Sequence, residues 1–226
     1  MKKILCLLLL ATAMLFNSCE QKGNTKIVME TTAGTMEFLL YNETPKHRDN
    51  FVKLVNEQYF DSLLFHRVIK DFIIQGGDPD SKYAEPGVRL GEGGPDYRID
   101  AEFRMPQLMH KRGALAAARE GDMVNPEKRS SASQFYIVWG KTYTPEQIDA
   151  LSERMKEMGM GEITPEQKTL YTQVGGTPFL DGQYTVFGEI TKGLEVVDKI
   201  QNVTTDGNDR PLEDVRILSI RIVEDK

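Results

Sequence analysis

With 226 residues, 40% of them hydrophobic and 27% charged, the chain has the composition of a globular protein of one large or two small domains, not of a disordered one. A formal net charge of −6, with no run of lysines and arginines, argues against nucleic-acid binding, which needs a basic face to displace counterions. Cys6 and Cys19 are the only cysteines, so the body of the chain offers neither a disulfide nor a thiolate metal site.

At the start, Lys2 and Lys3 precede an apolar run from Ile4 to Phe16, the order of a secretory signal. The run is shorter than the about 20 residues that span a bilayer. Phe16-Asn17-Ser18-Cys19 follows and resembles the lipobox of bacterial lipoproteins, whose cysteine becomes the lipid-modified first residue. Ala11-Thr12-Ala13 is a competing cleavage site of the small-x-small kind. Lipid attachment at Cys19 is the expectation, because an unmodified Cys19 would be a lone exposed thiol in an oxidising compartment. Residues 1–18 then form the signal peptide, 19–25 a polar tether and 26–226 the folded domain, exported and anchored to a membrane of the cell envelope, facing the periplasm or the cell surface.

Ile27 and Met29, then Met36, Phe38 and Leu40, alternate with polar residues on either side of Thr31-Thr32-Ala33-Gly34, which reads as a hairpin. Thr44-Pro45 is a helix start, with the threonine hydroxyl as cap, and Phe51, Leu54, Val55 and Tyr59 form its apolar stripe. Short strands are predicted at 64–69, 72–75, 97–100, 113–118, 133–139 and 185–190, separated by turns rich in glycine and proline. Residues 140–175 break the alternation with two Thr-Pro-Glu helix starts, at Thr144 and Thr164. Ile148, Leu151, Met155 and Met158 make a stripe on the first, and Leu170, Tyr171 and Val174 a weaker one on the second. A further short helix is predicted over Leu194–Ile200 and a last strand over Val215–Val223, whose alternation changes phase between Ile217 and Leu218 as at a β-bulge.

The chemistry concentrates in Phe65-His66-Arg67, followed by Phe72-Ile73-Ile74-Gln75-Gly76-Gly77-Asp78. Gly113-Ala114-Leu115-Ala116-Ala117-Ala118-Arg119, Ser133-Gln134-Phe135-Tyr136-Ile137, Phe179-Leu180-Asp181-Gly182 and Val186-Phe187-Gly188 come after it in order. The series closely resembles the cyclophilin signature over roughly residues 26–223, apart from the 140–175 insertion. The resemblance implies a mainly β fold: a closed eight-stranded antiparallel barrel capped by two helices, with a helical insertion. It also implies a peptidyl-prolyl cis/trans isomerase that needs no cofactor and no metal and acts on proline-containing polypeptides, here those of the cell envelope.

Carried over residue by residue, Arg67, Phe72 and Gln75 are the catalytic residues. Arg67 aims a donor at the proline nitrogen as the amide twists, and Gln75 fixes its fork. Ile73, Tyr136 and Leu180 join Phe72 in an apolar proline pocket, with Phe179 and Tyr184 at the rim. Backbone groups near Ala118 and Arg119 bind the residue before proline, and Gln134 contacts the peptide further along. Tyr136 stands where phenylalanine is usual, Arg119 where many members have asparagine, and Tyr184 where a rim histidine is found. Phe179 replaces a common tryptophan, which implies weak cyclosporin binding.

His47, His66 and His110 lack the spacing of metal ligands and read as structural or surface residues. Ser130, Ser131 and Ser133 have neither a nucleophile-elbow context nor an evident histidine-acid pair, so hydrolase chemistry is not expected. A non-catalytic module that grips proline-containing chains, with Met155, Met158 and Met160 offered to clients as a chaperone surface, is the alternative from another class.

Overall fold

In the computed structural model residues 24–223 are described; the predicted leader and the lipidation site Cys19 lie outside them, as does all of the tether except Asn24 and Thr25. The alternating hairpin is β1 (Thr25–Thr31) and β2 (Gly34–Leu40), so Thr25 already belongs to a strand. The Thr31 hydroxyl closes the turn, donating to the Gly34 carbonyl at 2.7 Å and accepting from the Ala33 amide at 3.1 Å. Helix α1 (Pro45–Asn56) starts at the predicted proline, but Thr44 does not cap it through its side chain. The cap comes from far away: the Glu102 carboxylate accepts from the amides of Lys46 at 3.2 Å and His47 at 3.0 Å.

The chain continues through β3 (Phe65–Ile69), β4 (Ile73–Gly76), β5 (Arg98–Ile99), β6 (Ala114–Ala117), β7 (Ser130–Ser131) and β8 (Phe135–Val138). After the helices α2 (Pro145–Glu157) and α3 (Pro165–Gln173) come β9 (Val186–Lys192), α4 (Leu194–Gln201) and β10 (Ile217–Val223). Eight strands form one antiparallel sheet in the order β10-β1-β2-β9-β6-β8-β4-β3, while β5 and β7 pair separately. The predicted strand at 97–100 is therefore outside the main sheet. The bulge near Ile217 is present: Ser219 faces Glu30 and Ile217 faces Thr31, leaving Leu218 out of register and half exposed.

The sheet curls but does not close into the expected barrel. Its edge strands β3 and β10 share no continuous ladder; they meet at a Leu64–Arg216 bridge and at bonds such as Phe65 N–H to Val215 at 2.9 Å. Beyond that point β3 turns to another partner, since the Val68 amide donates to Asp209 at 2.8 Å. Strand alternation sorts the side chains of the curled sheet onto two faces. Leu115, Ala117, Phe135, Ile137 and Ile74 point inward to a core completed by Phe51, Leu54 and Val55 of α1 and Val196, Val197 and Ile200 of α4. Their neighbours Ala114, Ala116, Ala118, Tyr136, Val138 and Ile73 form a second apolar cluster on the outer face, and this face carries the site.

Both insertion helices begin with full capping boxes, Thr144 with Gln147 and Thr164 with Gln167, as the Thr-Pro-Glu starts predicted. They pack on a small core of their own, Ile148, Met155, Ile163 and Tyr171, with Leu151 and Met160 against it. Met158 alone of the methionine stripe stays largely exposed. The insertion's stem is pinched shut where Gly140 meets Gly176, and a Cβ on Gly140 would fall 2.3 Å from the Gly176 backbone.

Candidate active site

Arg67 and Gln75 face each other across the β3–β4 hairpin. Register is lost at His66: Phe65 pairs with Gly76 and Arg67 with Gln75, so His66 is an extra residue that shifts the strand's phase. Phe65 and Val68 consequently both reach the inner core while Arg67 is turned to the outer face. The Gly77 backbone (φ 92°) explains the paired glycines after Gln75, because a Cβ there would lie 2.1 Å from the Ser133 carbonyl oxygen. Asp78, fully buried, then caps the turn at Pro79–Tyr83 and accepts from the Gly91 amide, tying the loop at 88–92 to the hairpin.

On this face opens a cleft of about 390 Å³. Arg67, Phe72, Ile73, Gln75, Ala118, Arg119, Tyr136, Leu180 and Tyr184 all border it, which brings together nine of the predicted site residues from β3, β4, β8 and three loops. Gln134 borders the adjoining groove instead, and Phe179 stands outside, stacked on Phe72 with ring centroids 5.7 Å apart. Arg67 Nη1 donates to Gln75 Oε1 at 3.3 Å and Arg67 Nε lies 3.6 Å from Asp209 Oδ2. Gln75 Nε2 donates to Gln134 Oε1 at 3.0 Å, and Gln134 Nε2 to the carbonyls of Gly91 and Gly93 at 3.0 and 2.8 Å. The guanidinium is thus the end of a braced chain, half-exposed over an apolar floor.

Residues 26–222 match the family model described as cyclophilin type peptidyl-prolyl cis-trans isomerase/CLD. The chain belongs to the cyclophilin-type isomerase family. It is 36% identical over 208 residues to a Staphylococcus aureus (strain USA300) protein named "Putative peptidyl-prolyl cis-trans isomerase", covering 90% of this chain and 94% of that one. A Staphylococcus saprophyticus protein of the same name is 34% identical over 215 residues, with 91% and 95% covered. Among solved structures, a Cryptosporidium parvum cyclophilin-type isomerase superposes with a TM-score of 0.63 at 24% identity, covering 90% of this chain and 99% of that one. The same protein in the presence of the dipeptide Ala-Pro gives 0.62 at 23% identity, with 88% and 99% covered.

Departures from the commonest cyclophilin pattern have structural accounts. The Arg119 side chain turns inward, donating from Nε to the Gln183 carbonyl at 2.8 Å and lying 4.5 Å from the Tyr184 ring centroid. It fastens the rim tyrosine. Of the backbone groups near Ala118 and Arg119, the Ala118 amide donates to Gln134 at 2.9 Å and the Ala118 carbonyl accepts from Ser131 at 2.8 Å. Arg119 is the residue of that pair whose backbone is not taken up in these bonds. The Tyr136 hydroxyl is buried against His110 Nε2 at 2.9 Å, and burial pushes its pKa well up.

Several cleft residues escaped sequence reasoning. Val88 to Glu92, Asn208 and Arg210 border the cleft without any motif to announce them. Arg210 is buried and donates to the carbonyls of Glu85 and Val88 at 2.9 and 2.8 Å, holding the loop that forms one wall. None of the three histidines is a surface residue; all are at most 3% exposed. Neither ring nitrogen of His66 makes a hydrogen bond of good geometry, and burial lowers its pKa to about 4, with Asp78 acting against the shift and Arg67 with it.

The serine expectation needs a correction as well. Ser130 Oγ lies 2.9 Å from His47 Nε2, and His47 Nδ1 lies 2.7 Å from Glu102 Oε2, so a histidine-acid pair is present. All three are buried and none borders the cleft, which leaves no access for a substrate. The group clamps α1 to the β7 segment. Burial alone would push the Glu102 carboxyl up, but bonds from the His47 ring and the amides of His47 and Lys46 hold it below the usual range. Among the described residues no group of three or more histidine, cysteine, aspartate or glutamate side chains is placed to hold a metal.

Proposed function

We propose that the chain accelerates Xaa-Pro isomerisation in exported or envelope proteins, and so assists their folding, with Arg67 as the transition-state donor. The observation that carries the reading is the Arg67 guanidinium, braced by Gln75 at 3.3 Å and Asp209 at 3.6 Å beside Phe72, Ile73, Tyr136 and Leu180. Rotation about the bond breaks amide resonance, a barrier of about 18–20 kcal/mol, and needs neither a covalent intermediate nor a proton transfer. As the bond twists, the proline nitrogen regains a lone pair. A fixed donor aimed there stabilises the twisted state over the planar one. The apolar residues take up the ring and keep water from the amide, and the Arg119 backbone holds the residue before proline. Gln134, with its amide already committed to the loop carbonyls, orders the groove further along. The neighbouring Cryptosporidium protein studied in the presence of Ala-Pro supports proline-containing peptides as ligands.

The decisive experiment follows cis-to-trans relaxation of a short Xaa-Pro peptide with the purified protein and its Arg67→Ala variant, using a readout that needs no coupled protease. Arg67→Ala is expected to keep the fold and lower kcat/KM by on the order of 10²–10³, the scale of losing one preorganised donor. Near-parental activity would sink the assignment. A folded parent without any acceleration would favour the proline-binding module. For the anchor, supported by the order of charges, apolar run and Cys19, the Cys19→Ala protein is expected in the soluble fraction; persistent membrane association would count against lipidation. Phe179 in place of a tryptophan supports weak cyclosporin binding.

A further inference from the structure

The insertion reaches the proline pocket through one buried chain of hydrogen bonds. Tyr171 on α3 donates its hydroxyl to Asp181 Oδ2 at 2.6 Å. Asp181 Oδ1 accepts from the His110 amide at 2.8 Å and lies 2.9 Å from His110 Nδ1, while His110 Nε2 lies 2.9 Å from the Tyr136 hydroxyl. The two ring nitrogens of His110 thus link the Asp181 carboxylate on one side to the Tyr136 hydroxyl on the other, and a phenol can complete that last bond as donor or as acceptor. Every side chain in the chain is at most 8% exposed, with Tyr171 at 0%. His110 and Tyr136 are also stacked, with ring planes 17° apart.

We propose that Tyr171 is a positioning residue of the isomerase site, fixing through Asp181 and His110 the Tyr136 ring that walls the proline pocket. The proposal rests on the isomerase reading of that pocket. Asp181 directly follows Leu180, another residue that borders the cleft. Phenylalanine at position 136 would need no partner. Tyrosine there must find one in a dry environment, and the chain through His110 ends on a residue that only the insertion provides. The insertion is thereby a brace of the Tyr136 wall. Loss of the Tyr171 hydroxyl leaves one buried oxygen of Asp181 unpaired and loosens His110 and the Tyr136 ring beyond it.

The test compares the parent, Tyr171→Phe, Tyr136→Phe and the double variant, since phenylalanine keeps the insertion's packing and removes only the hydroxyl. Three readouts are taken: the 15N resonances of the His110 ring, the equilibrium affinity for a short Xaa-Pro peptide by NMR titration, and kcat and KM. Tyr171→Phe is expected to move the His110 ring signals and to weaken peptide affinity and KM about 3- to 10-fold, with little change in kcat. In the Tyr136→Phe background the same substitution is expected to change affinity by less than about 1.5-fold, because the coupled end is already cut. Parental affinity with unmoved His110 signals in Tyr171→Phe would overturn the proposal, as would losses that simply multiply in the double variant. If Tyr171→Phe does not fold, Tyr136→Phe is read at the other end of the chain: displaced Tyr171 ring signals would support the coupling and unmoved ones would refute it. Affinity and NMR do not depend on turnover, so an inactive parent would refute the isomerase reading and still leave the coupling measurable.

Discussion

Lowering the pH from 7 to 4 should destabilise this protein in good part through the His66 imidazole. His66 is 3% exposed, wedged as the extra residue of β3 beside Gly91, with Arg67 and Arg210 disfavouring its proton and Asp78 favouring it. Burial is the largest influence and takes its pKa from 6.5 to about 4. Above pH 6.5 the ring is neutral in both folded and unfolded chains and contributes nothing to pH dependence. Between 6.5 and 4 the unfolded chain takes up a proton that the folded one refuses, so stability falls with falling pH and levels off below about 4. At about 1.36 kcal/mol per unit the loss comes to roughly 3 kcal/mol, a large share of the about 5–15 kcal/mol that holds a domain together. Urea unfolding of the parent and His66→Gln at pH 7, 5.5 and 4.5 isolates this contribution, because the carboxylates titrate in both proteins. The parent is expected to lose stability relative to the variant by most of that amount as the pH drops. Parallel curves for the two proteins would refute the reasoning.

Glu102→Ala strips the cap from α1 and leaves the His47 ring without its buried acceptor, so it should cost about 3–5 kcal/mol in urea unfolding at pH 7; a loss below about 1 kcal/mol would mean that water replaces the carboxylate. Arg119→Ala should leave kcat near parental while raising KM for an Xaa-Pro peptide several-fold, about the worth of a cation–π contact that no longer fixes Tyr184. Unchanged KM would show that Tyr184 is held by Tyr136 alone. The consequences of Arg67→Ala for catalysis and Cys19→Ala for membrane attachment complete the set.

Features written within a few neighbouring residues were legible in the sequence. The β1–β2 hairpin, the two Thr-Pro-Glu helices with their capping boxes, and the phase change that marks the Leu218 bulge each depend on local periodicity or on a cap three residues away. The ordered cyclophilin blocks placed Arg67, Gln75 and most of the cleft's lining, and residues 26–222 bear out the family. What escaped were partners that only folding brings together. His47 meets Ser130 from 83 positions away and Asp181 meets His110 from 71, so the three histidines read as scattered when each is buried in the fold. The loop at 88–92 has no periodicity of its own and borders the cleft because Asp78 and Arg210 hold it there. Closure of the sheet was equally beyond a local pattern: alternation says which face of a strand is buried, whereas the seam depends on which edge β3 meets after Leu64, and there Asp209 takes the place that β10 would have held.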